Sequence, residues 1–126
     1  LLFKGAVQDT AKSVYTGLIR IGKEAKGSAA YQTNRNLTLS QGAWAESVPN
    51  LEIENNDVKC SHASTVGPID DDQLFYLESR GVKPDVAQRL VVLGFFDEVL
   101  AQLPVGGLAR ELREQVSAKL AIGVAS

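Results

Sequence analysis

The 126-residue chain is 44% hydrophobic and 22% charged, with 13 Lys and Arg against 15 Asp and Glu and a formal net charge of −2. That length suits one modest domain or two small packed units, and the well-mixed charge offers no field for nucleic acid or an anionic bilayer. A single cysteine excludes an internal disulfide, and no apolar run reaches the roughly 18 residues that span a membrane, so a soluble cytoplasmic chain is expected.

Residues 1–17 carry neither the basic leader nor the apolar core of a signal peptide. Val14, Thr16, Leu18 and Arg20 then alternate with Tyr15, Gly17, Ile19 and Ile21, and short β-prone runs recur at 29–33, 37–39, 51–53 and 58–62. Each run ends in Gly, Asn, Ser or Pro, at spacings too tight for helical crossovers. Stacked coils or a meander are therefore expected rather than a doubly wound sheet. Periodicity leaves sandwich and β-helix both open.

Residues 17–24, GLIRIGKE, have the spacing of a phosphate-binding loop except at the last position. There Glu24 replaces the hydroxyl that would hold magnesium, and its carboxylate repels phosphate, so no nucleotide is expected on this chain. Asn36, Leu37 and Thr38 form a glycosylation triplet that has no meaning in a cytosolic chain. Asn34, Asn36, Asn50, Asn55 and Asn56 read as turn residues rather than ligands, and Trp44 as a packing aromatic beside Ala43 and Ala45.

Residues 58–81, VKCSHASTVGPIDDDQLFYLESRG, change character midway. Val58, Cys60 and His62 alternate with Lys59 and Ser61, so a strand sets thiol and imidazole on one face with Cα atoms about 7 Å apart. Spacing alone makes this an incomplete metal site, because zinc and cluster sites use three or four protein ligands. A packed thiol beside a hydrogen-bonded imidazole fits the same spacing. A Cys60 nucleophile with a His62 base is disfavoured, since two residues on one strand meet awkwardly and no third orienting group is evident.

Gly67 and Pro68 end that strand, and Asp70 caps a helix with Gln73 in the capping-box position. Asp71 and Asp72 suit the positive end of the dipole, Leu74, Phe75 and Leu77 give an apolar side, Tyr76 lies at its rim, and Gly81 is the C-terminal cap. Pro84 opens a second helix whose Val86, Leu90, Val92, Leu93, Phe95 and Val99 exceed one stripe and require burial on several sides. Pro104, Gly106 and Gly107 stop it. Leu108, Leu112, Val116 and Leu120 then recur on a third helix, with Arg110, Glu111, Arg113, Glu114 and Lys119 on its wet side and Arg110 paired to Glu114.

The 58–81 stretch resembles the end of the core domain in the SufB/SufD family of iron-sulfur cluster assembly scaffolds, and the likeness runs from about residue 14 to the end. IDDDQLFYLESRG is similar to the segment joining that family's core to its helical domain, and Lys59, Cys60, Ser61 and His62 reproduce the KCSH motif of the D-type member. The B-type paralogue reads closer to VEHEATT here. With Pro49 as its turn proline, its essential cysteine falls near Ala43, where no thiol stands. The resemblance is thus SufD-like, and it implies a C-terminal fragment of a longer chain.

It further implies a mainly β fold with α: terminal coils of a right-handed parallel β-helix over 1–68, followed by a small helical domain over 69–126. The implied function is that of a non-catalytic scaffold subunit of the SUF (SufBCD) assembly complex. His62, with Cys60 as second choice, becomes a ligand to a transient iron-sulfur cluster shared with a SufB-like paralogue through strand edges. Histidine in place of thiolate loosens ligation, which suits a scaffold that must give its cluster away. The C-terminal helices dock a SufC-like ATPase, with Leu74, Phe75, Tyr76, Glu78 and Arg80 as the contact segment. The alternative within the family is a homodimeric stand-alone SufBD-type protein.

Overall fold

Among the described residues five strands precede three helices: β1 (Leu2–Val7), β2 (Lys12–Ile21), β3 (Ala29–Thr38), β4 (Trp44–Ile53), β5 (Lys59–Pro68), α1 (Asp71–Glu78), α2 (Pro84–Leu100) and α3 (Gly106–Ile122). The computed structural model describes residues 1–122, so residues 123–126 of the expected helical domain lie outside the described residues. The chain divides into two units, Leu1–Gly67 and Pro68–Ser126.

In the first unit the chain visits two sheets alternately. β1, β3 and β5 form one in that order, and β2 and β4 form the other. β1 runs parallel to β3 with Leu2 beside Thr33 and Val7 beside Thr38, and β2 runs parallel to β4 with Lys12 beside Trp44 and Ile21 beside Ile53. The strands are parallel and stacked, but the expected β-helix is not what they build. Among the described residues there are two small sheets, one three-stranded and one two-stranded, and no further sheet curls them into a closed coil. Local turns explain this: Ala11 N–H donates to Gln8 O at 3.0 Å, Ala25 N–H to Gly22 O at 3.1 Å and Ala43 N–H to Ser40 O at 3.2 Å. Connections this tight leave no stretch for a third wall.

The two inner faces meet. Gly17, Ile19 and Ile21 are the buried alternate positions of β2, and the Phe3 ring of β1 lies 5.0 Å from the Tyr15 ring of β2. Opposite them stand three buried polar residues of β3, Gln32, Asn34 and Asn36, where Asn36 Nδ2 donates to Asn34 Oδ1 at 2.6 Å. Asn34 and Asn36 are therefore strand residues whose side chains bond each other, not turn formers, and Asn50 lies in β4. Asn55 does make a turn: its Oδ1 accepts from Asp57 N–H at 2.8 Å and its Nδ2 donates to Lys23 O at 2.6 Å. Trp44 is 45% exposed at the start of β4 rather than packed in a crowded coil.

In the second unit, Asp70 caps α1 by accepting from Asp72 N–H at 2.9 Å. The cap bond falls two residues on, the ordinary Asx geometry. Gly81, at φ +85°, closes the helix with Gly81 N–H to Glu78 O and Val82 N–H to Leu77 O, the paired bonds of a Schellman end. α2 begins with Pro84 and buries Ala87 and Val92, while Leu90 stays exposed, so it is covered on fewer sides than its composition suggests. Arg113 of α3 clasps Asp97 of α2 with Nη1 at 2.5 and 2.6 Å from the two carboxylate oxygens. That pair involves neither Arg110 nor Glu114, whose contact within α3 was expected.

Candidate functional site

β5 is the outer strand of the three-stranded sheet, and its sequence KCSHASTVGP carries both Cys60 and His62. The hydrogen-bond parity of the sheet fixes which of its groups are used. Thr33 N–H donates to Leu1 O while Leu2 is the register partner of Thr33, so a paired residue bonds the carbonyl one before its partner. Lys59 N–H donates to Ser28 O at 2.9 Å, which by the same rule sets Lys59 beside Ala29. Carried along the strand, this register brings Cys60 beside Ala30, His62 beside Gln32, Ser64 beside Asn34 and Val66 beside Asn36.

Two consequences follow from alternation. The side chains of Cys60, His62, Ser64 and Val66 share the sheet face that bears Gln32, Asn34 and Asn36. The odd-numbered residues of β5 turn their backbone groups toward β3, so the N–H and C=O of Cys60, His62 and Ser64 point to the open edge. Such an edge is a template for a further strand. Exposure agrees, because β5 is open along nearly its whole length, with only Cys60 and Gly67 half-buried. Cys60 is a free thiol. His62 is exposed, and among the described residues no three His, Cys, Asp or Glu side chains come together as a metal cluster.

β4 manages its own edge in a similar way. Trp44 N–H and Glu54 N–H donate to Ala11 O and Ile21 O, so its even-numbered amides face β2. Pro49 is odd, and its missing donor falls on the open side, where a proline costs the ladder nothing.

The expected ATPase-contact residues lie on and just after α1. Phe75 is 73% exposed and Tyr76 is 55% exposed, and the Arg80 guanidinium sits 4.5 Å above the Tyr76 ring. Leu74 is half-buried, and Glu78 is exposed at the last turn. A second feature escaped the sequence: a cavity of about 320 Å³ between α2 and α3, lined by Asp97, Leu100, Ala101, Ala109, Arg110 and Arg113. The buried amide row of β3 escaped it too. Its signal was an alternation of Gln32, Asn34 and Asn36 with period 2, polar where a core strand is normally apolar.

No helix among the described residues is long and apolar enough to cross a membrane. The one thiol and the one imidazole thus lie on the outer strand of a sheet. The family model described as SUF system FeS cluster assembly, SufBD core domain, matches residues 1–95, and the chain belongs to that family. It is 46% identical over 128 residues to an iron-sulfur cluster assembly SufBD family protein of Mycobacterium tuberculosis, covering 95% of this chain and 31% of the relative. Against the iron-sulfur cluster assembly protein SufD of Escherichia coli it is 38% identical over 119 residues, covering 94% of this chain and 28% of the relative. SufD of Bacillus subtilis matches at 37% over 120 residues, with 95% and 28% covered. The chain thus spans a little under a third of the length of these relatives.

Proposed function

We propose that this chain is the SufD-like C-terminal part of a non-catalytic SUF scaffold subunit in the cytoplasm, with its strand unit over 1–68 and its helical unit over 69–126. The strand unit joins a SufB-like paralogue through the β5 edge. His62 contributes an imidazole to an iron-sulfur cluster assembled between the two chains, with Cys60 as a weaker second ligand. The cluster is cargo, held briefly and passed on, and the chain itself binds no nucleotide. The helical unit docks a SufC-like ATPase through Leu74, Phe75, Tyr76, Glu78 and Arg80.

The observation that carries this proposal is the exposed imidazole on a strand whose outward backbone groups have no neighbouring strand among the described residues. One imidazole cannot hold a cluster, so its remaining ligands lie outside these residues, and the open edge admits another chain that could supply them. The exposed Phe75 and Tyr76 beside Arg80 support a protein contact on α1, since aromatics and arginine dominate binding energy at interfaces. In a full-length complex with both partners, His62→Ala should abolish cluster build-up, read as the loss of the visible charge-transfer absorption, while the complex still elutes intact. Full cluster content in that variant would overturn the role of His62.

A second arrangement is favoured by the same edge: two copies of β5 pairing about a two-fold axis, as in a homodimeric SufBD-type protein. Sedimentation of the chain alone decides between them, a concentration-dependent dimer supporting self-pairing.

A further inference from the structure

Ser47 sits at an inward position of β4, and among the described residues its hydroxyl oxygen is buried with no hydrogen-bond partner. A buried hydroxyl normally finds a partner in protein or in ordered water, because a dry one forfeits the hydrogen bonds it made in solvent.

What faces Ser47 follows from the two strand registers. Phe3 pairs with Asn34 in one sheet, and Tyr15 pairs with Ser47 in the other. The Phe3 and Tyr15 rings meet across the interior with their centroids 5.0 Å apart. One strand further along each sheet, Asn34 and Ser47 therefore stand opposite each other. Gln32 follows the same order: two residues before Asn34, its amide nitrogen fills the space over Gly17, two residues after Tyr15.

In the first layer two rings fill the gap between the sheets, whereas in the second the facing groups are a carboxamide and a hydroxymethyl. Facing sheets lie about 10 Å apart, a distance that such short side chains do not close. Asn34 is 3% exposed and its Oδ1 accepts from Asn36, which leaves Nδ2 as the group able to donate across the gap.

We infer that an ordered water molecule is bound between β3 and β4, accepting from Asn34 Nδ2 and donating to Ser47 Oγ. The site offers the two polar partners that a buried water needs. Its route of entry lies in the next layer, where the register sets Ser64 beside Asn34 and Ser64 is exposed. The interior thus passes from ring-filled at Phe3 and Tyr15, through the hydrated pair, to solvent at β5. This hydration is independent of the role proposed above for His62.

A high-resolution crystal structure of the chain should show a water oxygen about 2.7–3.2 Å from both Asn34 Nδ2 and Ser47 Oγ. In solution, the Asn34 side-chain amide protons should give a cross-peak to a long-lived water in the wild type and none in Ser47→Ala. The urea midpoint of Ser47→Ala should fall, since the water then loses one of its two anchors. A dry hydroxyl predicts the opposite sign, because deleting an unpaired buried polar group raises the midpoint. A gap without water density, a direct protein bond to Ser47 Oγ, a cross-peak unchanged in Ser47→Ala or a raised midpoint in that variant each overturns the inference.

Discussion

Asn36 donates its side-chain amide to the Asn34 side-chain oxygen at 2.6 Å, two residues apart on one strand and both inside the first unit. The bond makes these amides conditional on each other. Asn34→Leu removes the acceptor and strands a buried donor, which should cost about 1–3 kcal/mol. Replacing both by leucine should cost less than the sum of the single changes, because no unpaired amide then remains. Urea denaturation of the three variants measures this, and strict additivity would show that the bond contributes nothing.

Gly17 sets a steric limit on the same interior. Gly17→Ala drives a methyl group into the Gln32 amide and the Tyr15 ring, where overpacking typically costs about 1–3 kcal/mol. Shortening the neighbour should relieve the clash, so Gly17→Ala with Gln32→Ser should recover part of the loss. Thermal unfolding reads both, and a harmless Gly17→Ala would mean that the space beside Gln32 is not filled.

These two residues also show where the sequence was readable. β2 was legible because Ile19 and Ile21 alternate cleanly with exposed Leu18 and Arg20. β3 was read only as fragments, since its inner face is amide rather than apolar and its exposed Tyr31 inverts the usual contrast. The first half of β4 was hidden by Pro49, which argues against a strand until its place on an open edge is known. The helix ends were legible from Asp70, Gly81 and Pro84, whose effects are local. The division of the strands between two sheets and the clasp of Arg113 on Asp97 depend on long-range neighbours, and no local pattern encodes them.

The Arg113–Asp97 pair ties α3 to α2 with side chains about half exposed, 49% and 38%. Both carboxylate oxygens share the single Nη1, and solvent screening limits such a pair to about 0.2–1 kcal/mol. Arg113→Ala should therefore lower the thermal midpoint of the helical unit slightly, and Asp97→Ala should add little once Arg113 is gone. The effect should shrink in about 1 M salt, where the screening length falls to roughly 3 Å. A double-mutant cycle in low and high salt tests this, and a salt-independent coupling would point to packing of the arginine stem instead.

Backbone parity on β5 gives the sharpest test of the open edge. Ser64 is an even position, so its N–H points away from β3, whereas the neighbouring Ala63 N–H points toward it. Proline lacks that donor. Ser64→Pro should leave the sheet folded, just as Pro49 is accommodated in β4, but it should block a strand from adding to the edge. Ala63→Pro should instead break a bond to β3 and destabilise the unit by about 1–3 kcal/mol. In pull-down assays with a SufB-type partner, Ser64→Pro should weaken association at least about tenfold while its circular dichroism and unfolding midpoint stay near wild type. Undiminished association of a well-folded Ser64→Pro variant would show that partners dock elsewhere, and the same substitution in the chain alone would then leave any dimer intact.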